Sequence, residues 1–156
     1  MSSNRSIELV VPGKPMGKQR PKFARMGKFT KAYTPKETVA HETQIKERFA
    51  ATYPNWELLD TGLILLVKAY FVPPKGASQK KLAAMLEGRI RPEKIPDWDN
   101  LGKIVSDALN QVAYTDDKLI VTGTTEKWYD MRPRMEIYIW EWDVDFFRSK
   151  QKERLL

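Results

Sequence analysis

The alternation of hydrophobic and polar positions predicts four strands along the chain. Apolar residues recur at every second position over residues 6–11, the period of a strand with one buried face. Residues 63–72 are almost continuously apolar, which predicts a central strand buried on both faces. Residues 119–129 and 134–142 predict two further strands joined by a short turn. We therefore expect a small mixed β-sheet of about four strands.

Helical patterns lie between these strands. Thr34, followed by Pro35 and Glu37, has the form of a capping box, and it predicts a helix that ends near Tyr53. The only histidine, His41, lies on the apolar stripe of this helix, which favours a packed or rim histidine over a general base. Ser78 is predicted to cap a second, short helix. Helices packed against a small sheet define the α+β class.

The strongest helical signal covers residues 101–112. Its apolar residues follow the spacing i, i+3, i+4, i+7, i+8 and i+11: Leu101, Ile104, Val105, Ala108, Leu109 and Val112. Asp99, Lys103 and Asp107 then lie together on the opposite, polar face. An amphipathic helix with carboxylates on its exposed side is therefore predicted.

Composition narrows the class of protein. A length of 156 residues fits one domain with a proper core, and the absence of cysteine excludes thiolate metal sites and cysteine nucleophiles. The first residues lack the apolar run of a signal peptide and no segment approaches a membrane span, so we expect a cytoplasmic protein without membrane contact. The net charge of +7 favours a polyanionic partner, with nucleic acid ahead of a membrane surface.

The positive charge is concentrated in two segments. Residues 12–33 are rich in glycine, proline and basic residues, with interleaved aromatic residues, which predicts a flexible loop or loose hairpin. Backbone neutralisation and base stacking suit this composition, although a solvated loop whose aromatics pack on the core is the alternative. A basic tail covers residues 143–156. The basic residues predicted to bind DNA are Lys14, Lys18, Arg20, Lys22, Arg25, Lys28 and Lys31.

Acidic residues are concentrated in residues 96–121. This stretch holds Asp97, Asp99, Asp107, Asp116 and Asp117 against two lysines. One interpretation is structural, with an N-cap at the helix start and an i, i+4 ion-pair ladder along its polar face. That interpretation leaves the adjacent carboxylates unexplained, because clustered carboxylates repel one another unless cations or protons intervene. Oxygen ligands without cysteine favour Mg²⁺ or Mn²⁺ over zinc.

The motifs in this stretch resemble a known family. The pattern D-x-D-N-x-x-K-x-x-x-D-A-L followed by D-D is similar to that of RusA Holliday junction resolvases. The segments GKQRPKF and AYTPKETVAHE resemble the longer, prophage-type members, and the motifs together cover most of residues 12–121, whereas residues 143–156 match none. The resemblance implies a catalytic set of Asp97, Asp99, Lys103 and Asp117, with the three aspartates as metal ligands.

The same resemblance implies an activity and a set of partners. Members of the family are homodimeric crossover junction endodeoxyribonucleases that cut four-way DNA junctions by paired, Mg²⁺-dependent nicks in recombination and repair. We therefore expect DNA and a second copy of the chain as partners. Two alternatives stay open from the residues themselves: a non-catalytic DNA-binding module, and a metal-dependent hydrolase of small phosphate substrates.

The predicted helix creates a geometric difficulty. Its length of roughly 20 Å would separate Asp97 and Asp99 at its start from Asp117 beyond its end. An antiparallel pair of these helices across a two-fold axis would unite the carboxylates of two subunits, and we favour this shared site. Alternatively, the chain after the helix doubles back.

Overall fold

A computed structural model describes residues 4–154 and contains six strands and four helices in that part of the chain. The strands are β1 (Ser6–Pro12), β2 (Lys22–Met26), β3 (Phe29–Tyr33), β4 (Leu63–Phe71), β5 (Ile120–Tyr129) and β6 (Arg134–Glu141). The helices are α1 (Lys36–Thr52), α2 (Gln79–Leu86), α3 (Trp98–Leu109) and α4 (Val144–Arg154), with a 3₁₀ helix at Asp117–Leu119. This arrangement confirms the predicted α+β class.

The mixed sheet has the strand order β1-β6-β4-β5. Strand β4 is central: it runs antiparallel to β6 on one side and parallel to β5 on the other. Its continuous apolar run follows from this position, because a strand with two neighbours, α3 over one face and α4 over the other has little access to water. A parallel pair needs a crossover connection, and residues 72–119, which contain α2 and α3, provide the one between β4 and β5.

The core lies between one face of the sheet and two helices. Alternate residues of β1, β4 and β6 point into it, and α1 and α3 cover them. The most deeply buried sheet residues are Ile7, Val11, Leu63, Val67, Ala69, Met135, Ile137 and Ile139. The period-two pattern of β1 is confirmed, since its buried and exposed residues alternate along the whole strand.

The apolar face of α3 belongs to this core. Leu101, Ile104, Val105, Ala108 and Leu109 have no exposed surface. A face that is already buried against α1, β4 and β5 cannot also pack against the same helix of a second subunit. Pairing of two α3 helices through this apolar face is therefore excluded, and a site shared between two subunits stays a prediction.

Of the three remaining predictions for the helices, one is wrong and two are confirmed. The capping box does not form, because the N-cap of α1 is Pro35 and no side chain caps the helix. His41 is 6% exposed, with its Nε2 3.4 Å from the Sδ of Met135, which confirms the packed histidine. Burial lowers the pKa of His41, so it stays neutral in the core. The Ser78 cap is confirmed by a 3.2 Å hydrogen bond from the Lys81 amide.

Both basic segments contain regular structure. Strands β2 and β3 pair as an antiparallel hairpin within residues 12–33. Helix α4 occupies most of the C-terminal basic segment and packs Phe146 against Trp140, with ring centroids 5.4 Å apart, on the side of the sheet opposite α3. Trp140 also stacks on Tyr138 at 5.8 Å. Within residues 4–154, no helix has the length and apolarity to cross a bilayer.

Truncation of a core residue tests this architecture. Ile137 has no exposed surface and sits between Leu9 and Val67 in the sheet. We expect Ile137→Ala to lower the free energy of unfolding by about 2–5 kcal/mol, because it removes buried methyl groups and leaves a cavity. Chemical denaturation measures the change. Ile95→Ala is the matched control, since Ile95 is 85% exposed and its truncation leaves no cavity. Equal losses in the two variants would contradict the assigned core.

Candidate active site

One side of α3 faces a cavity beside β5. Residues 98, 99, 102, 103 and 106 fall on one stripe of a helix with 3.6 residues per turn. This stripe faces β5 and the 3₁₀ helix, and it borders an open cavity of about 320 Å³. The polar residues that line the cavity are Asp99, Lys103, Ser106, Asp117, Thr124 and Thr125. Three of the four residues predicted to be catalytic therefore share one cavity within a single chain.

Asp117 reaches this cavity because the chain reverses after α3. The helix ends at Leu109, and Gln111 adopts a left-handed conformation with φ of 61°. Tyr114 is fully buried, and its hydroxyl donates a 2.6 Å hydrogen bond to the carbonyl oxygen of Ser106. The amide of Asp117 then donates to Oδ1 of Asn110 at 3.1 Å. The chain therefore doubles back after α3, as the second of the two predicted arrangements requires, and Asp117 lines the same cavity as Asp99.

Asp97 lines a different, neighbouring groove. It is the N-cap of α3 and borders a groove of about 410 Å³ with Lys14, Lys18 and Arg20. The helical rotation explains this division, because Asp97, like Asn100, lies on a different side of α3 from Asp99. The four predicted catalytic residues thus occupy two adjoining depressions around the start of α3.

The contacts of Asp97 and Lys103 do not match a structural helix cap and ion-pair ladder. Asp97 makes no side-chain cap hydrogen bond, so its carboxylate does not serve as a cap. Within residues 4–154, Lys103 takes part in none of the ion pairs, so the ladder with Asp99 and Asp107 that the structural interpretation requires is absent. A lysine that is not neutralised by neighbouring carboxylates is available to an anionic ligand.

Asp107 has a separate partner in the basic segment. The Nζ of Lys18 lies 3.3 Å from Asp107 and 2.5 Å from Glu42 of α1. Burial tends to lower the pKa of Lys18, but the two carboxylates outweigh it and the pKa is raised. The Lys18 side chain is only 19% exposed. We therefore assign Lys18 to anchoring the basic segment, in contrast to the DNA contact predicted for it.

The other basic residues predicted to bind DNA are accessible. All six are exposed, and four of them lie in the hairpin or its turn: Lys14, Arg20, Lys22, Arg25, Lys28 and Lys31. Gly17 brings their segment close to α3, because a Cβ at this glycine would lie 2.8 Å from the Cβ of Pro96. The Lys18 amide also donates a 2.8 Å hydrogen bond to the Asn100 carbonyl oxygen. The positive segment is therefore fixed beside the groove that contains Asp97.

Asp116 has a structural role next to the site. Its side chain accepts a 2.9 Å hydrogen bond from the Lys118 amide and caps the 3₁₀ helix. This backbone hydrogen bond is the largest cause of the lowered pKa of Asp116, and the charge of Lys118 contributes further. Asp116 is absent from the lining of both depressions described above. The adjacent carboxylates of residues 116 and 117 therefore differ in their surroundings.

The donor set around the cavity fits a hard divalent cation that shares its coordination with a substrate. Asp99 and Asp117 provide carboxylate oxygens from two elements. In the described part of the chain, no cluster of three or more acidic or histidine side chains could hold a metal by itself. Mg²⁺ commonly binds through one or two carboxylates together with waters and substrate phosphates. Two carboxylates in an open cavity match that mode.

Several lining residues were not identified from the sequence. The cavity is also bordered by Trp98, which is 65% exposed, and by Ser106, Thr124 and Thr125. The helical spacing of Trp98 and Ser106 from Asp99 and Lys103 was a usable signal. No sequence signal pointed to the two threonines, because their place in the cavity depends on how closely α3 approaches β5. That approach is close at Gly102, where a Cβ would lie 2.8 Å from Oγ1 of Thr125.

An α+β fold with an acidic cavity and an adjacent basic hairpin is an arrangement suited to phosphate chemistry on nucleic acid. The family model described as "Endodeoxyribonuclease RusA" matches residues 12–140, so the chain belongs to the RusA endodeoxyribonuclease family. The chain is also 33% identical over 140 residues to a protein of Bacillus subtilis (strain 168) named "Uncharacterized protein YqaN". That similarity covers 86% of this chain and 96% of YqaN.

Removal of the Tyr114 hydroxyl tests the chain reversal that positions Asp117. At neutral pH we expect Tyr114→Phe to lower the free energy of unfolding by about 1 kcal/mol, because it deletes a buried hydrogen bond. Burial, with smaller effects of Asp117 and Asp107, raises the pKa of Tyr114. The neutral phenol is therefore favoured in the folded state, and its contribution is lost as pH rises above about 10, the unfolded value.

Chemical denaturation between neutral pH and pH 11 measures both effects. We expect stability to fall above about pH 10, and the fall to be smaller in Tyr114→Phe. Part of the loss should remain in this variant, because the pKa values of Tyr70 and Tyr138 are also raised. Tyr33→Phe is the control, because Tyr33 lies on the exposed hairpin. An unchanged alkaline loss in Tyr114→Phe would contradict the assignment.

Proposed function

We propose that this protein is a metal-dependent endonuclease that resolves four-way DNA junctions by paired nicks as a homodimer. The observation that carries the proposal is the convergence of Asp99, Lys103 and Asp117 on one cavity. These residues come from a helix and from a separate 3₁₀ helix that the chain reversal brings back. Membership of an endodeoxyribonuclease family supplies the class of substrate.

The cavity contains the groups that phosphodiester hydrolysis needs. A divalent cation, when bound, supplies an activated water and stabilises charge on the phosphate and the leaving 3′ oxygen. Asp99 and Asp117 would hold this cation, and Mg²⁺ or Mn²⁺ suits their hard oxygen ligands. Asp97 would contribute from the neighbouring groove, where it faces the start of the basic segment. Lys103 would hold the scissile phosphate and counter the charge that develops on it.

The surroundings support an extended DNA substrate over a small phosphate ester. Exposed basic residues continue from the groove around Asp97 into the hairpin. Contacts of this kind neutralise consecutive phosphates and make affinity depend strongly on salt. A homodimer would place two such sites on opposite strands, which paired nicking of a four-way junction requires.

Single substitutions in the cavity test the catalytic assignments. We expect Asp99→Asn, Asp117→Asn and Lys103→Met each to lower the Mg²⁺-dependent nicking rate on a synthetic four-way junction by roughly 10²-fold or more, because each removes charge stabilisation at the reacting phosphate. Asp97→Asn should reduce the rate as well. Gel analysis of end-labelled junctions measures nicking, and mobility shift measures binding, which should persist in all four variants.

Asp116→Asn is the matched control for these variants. It makes the same chemical change one residue from Asp117, and asparagine caps helices as well as aspartate. This control should retain most of the activity. Junction binding without nicking by the unmodified protein would favour the non-catalytic DNA-binding module. Nicking that persists in Asp97→Asn and Asp99→Asn would reject the proposed site. Junction affinity that is insensitive to salt would favour a hydrolase of small phosphate substrates.

Mixed dimers test whether each site belongs to one chain. Because Asp99 and Asp117 line one cavity within a chain, we expect no recovery of nicking when Asp99→Asn and Asp117→Asn subunits are mixed and allowed to exchange. In a shared-site dimer, exchange would restore an intact site in each heterodimer. Mixing Asp99→Asn with unmodified subunits provides the control for exchange, because it yields dimers with one active site. Recovery of nicking above the single variants would show shared sites.

A further inference from the structure

The β2–β3 hairpin exposes apolar side chains on a positively charged element. Phe29 is 79% exposed, Phe23 72% and Met26 63%. Both faces of the hairpin are exposed to solvent, so these side chains are not part of the hydrophobic core. Large apolar groups on such an element indicate a binding surface. Residues 22–33 contain four basic and no acidic residues, which makes a polyanion the complementary partner.

The strand register divides these side chains between the two faces of the hairpin. Met26 pairs with Phe29, Ala24 with Lys31 and Lys22 with Tyr33, so all six lie on one face. Phe23 pairs with Ala32, and therefore it projects from the other face with Arg25. Gly27, with φ of 62°, permits the tight turn that places Met26 and Phe29 at the end of the hairpin. We call Met26 and Phe29 the apolar tip.

The apolar tip combines two features that suit distorted DNA. A two-stranded ribbon fits the major groove of a duplex. Phenylalanine and methionine side chains insert between base steps where a protein kinks or opens DNA, and they cost least where bases are already unstacked. Lys22 and Lys31 lie behind the tip on the same face, where they can neutralise the phosphates on either side of an opened step.

The segment that leads into the hairpin is fixed to the helix that carries the candidate active site. Gly17 packs against Pro96 and Asn100, and Lys18 is tied to α3 through the Asn100 carbonyl oxygen and Asp107. Lys18 is also paired with Glu42 of α1. The hairpin therefore starts from a point held beside the groove that contains Asp97. Insertion at a branch point would therefore help to place a nearby phosphate at the cavity.

We propose that Met26 and Phe29 form a wedge that inserts between bases at the branch point of DNA, while Lys22 and Lys31 hold the flanking phosphates. This inference rests on the proposed junction nuclease, and it assigns to the hairpin the preference for branched over duplex DNA. Phe23 and Arg25, on the opposite face, lie outside the wedge.

A fluorescent base at the branch point tests the wedge without relying on cleavage. Asp99→Asn protein is titrated with a four-way junction that carries 2-aminopurine at the branch, and unstacking of this base raises its fluorescence. We expect the Asp99→Asn protein to raise the fluorescence, and the same protein with Met26→Ser/Phe29→Ser to leave it unchanged. The double substitution at the tip should also weaken junction affinity at least about fivefold, because base contacts are lost. Affinity for a duplex of the same length should change little.

Phe23→Ser is the matched control, because it removes an equally exposed phenylalanine from the opposite face of the hairpin. It should retain the fluorescence rise. Lys22→Ala/Lys31→Ala should weaken junction and duplex binding alike and reduce the salt dependence by roughly one phosphate contact per lysine. Thermal melting of every variant checks that the core, which the hairpin does not enter, stays folded.

Three outcomes would overturn the wedge. The fluorescence rise could persist in the double variant at the tip, or Phe23→Ser could abolish it equally. The double variant could instead convert a dimer to a monomer in sedimentation, which would assign the tip to contact with a second copy. Failure of junction cleavage by the unmodified protein would refute the proposed nuclease, whereas the binding signal would still report on the wedge.

Discussion

The burial of the apolar stripe of α3 determines how the rest of the site is arranged. Leu101, Ile104, Val105, Ala108 and Leu109 fill the space between α1 and the sheet and have no exposed surface. Full burial of side chains of this size contributes roughly 1.5–3 kcal/mol for each leucine, isoleucine or valine. The rotation of α3 about its own axis is therefore fixed. One flank must face β5, with Asp99 and Lys103, and the other must face the basic segment, with Asp97 and Asn100.

Two sets of polar contacts position segments that are distant in sequence against the flanks of α3. Tyr114 returns the chain to Ser106 and so brings Asp117 to the flank that holds Lys103. On the other flank, Lys18 joins α1 and α3 through Glu42 and Asp107 and holds the start of the hairpin. The Lys18 contacts are charge-assisted and partly buried, so they are sensitive to loss of either partner. The acidic cavity and the basic surface are thus two consequences of one helix placement.

The strands of the main sheet and the first three helices were predictable from local patterns. The alternation in β1, the apolar run of β4 and the helical period of α3 each depend on neighbouring residues, and all three elements formed. Helix α3 ends at Leu109, before the predicted end at Val112, because the chain turns at Gln111. The assignment of partners was less successful. Asp107 was grouped with Lys103 because they share a helix face, whereas in the structure it pairs with Lys18, 89 positions earlier in the sequence. The capping box failed because Pro35, and not Thr34, occupies the N-cap.

The sequence alone determined the α+β class, the amphipathic α3, the basic segment and the acidic motif that the RusA family shares. Each of these follows from residue type and spacing, which act over a few neighbouring positions. Only the tertiary structure decided that Asp99, Lys103 and Asp117 meet within one chain, that Asp97 lines a separate groove and that the apolar face of α3 is core. The reason is that these relations depend on the packing of α3 against α1 and β5 and on the reversal at Tyr114, which bring together residues that no local period relates.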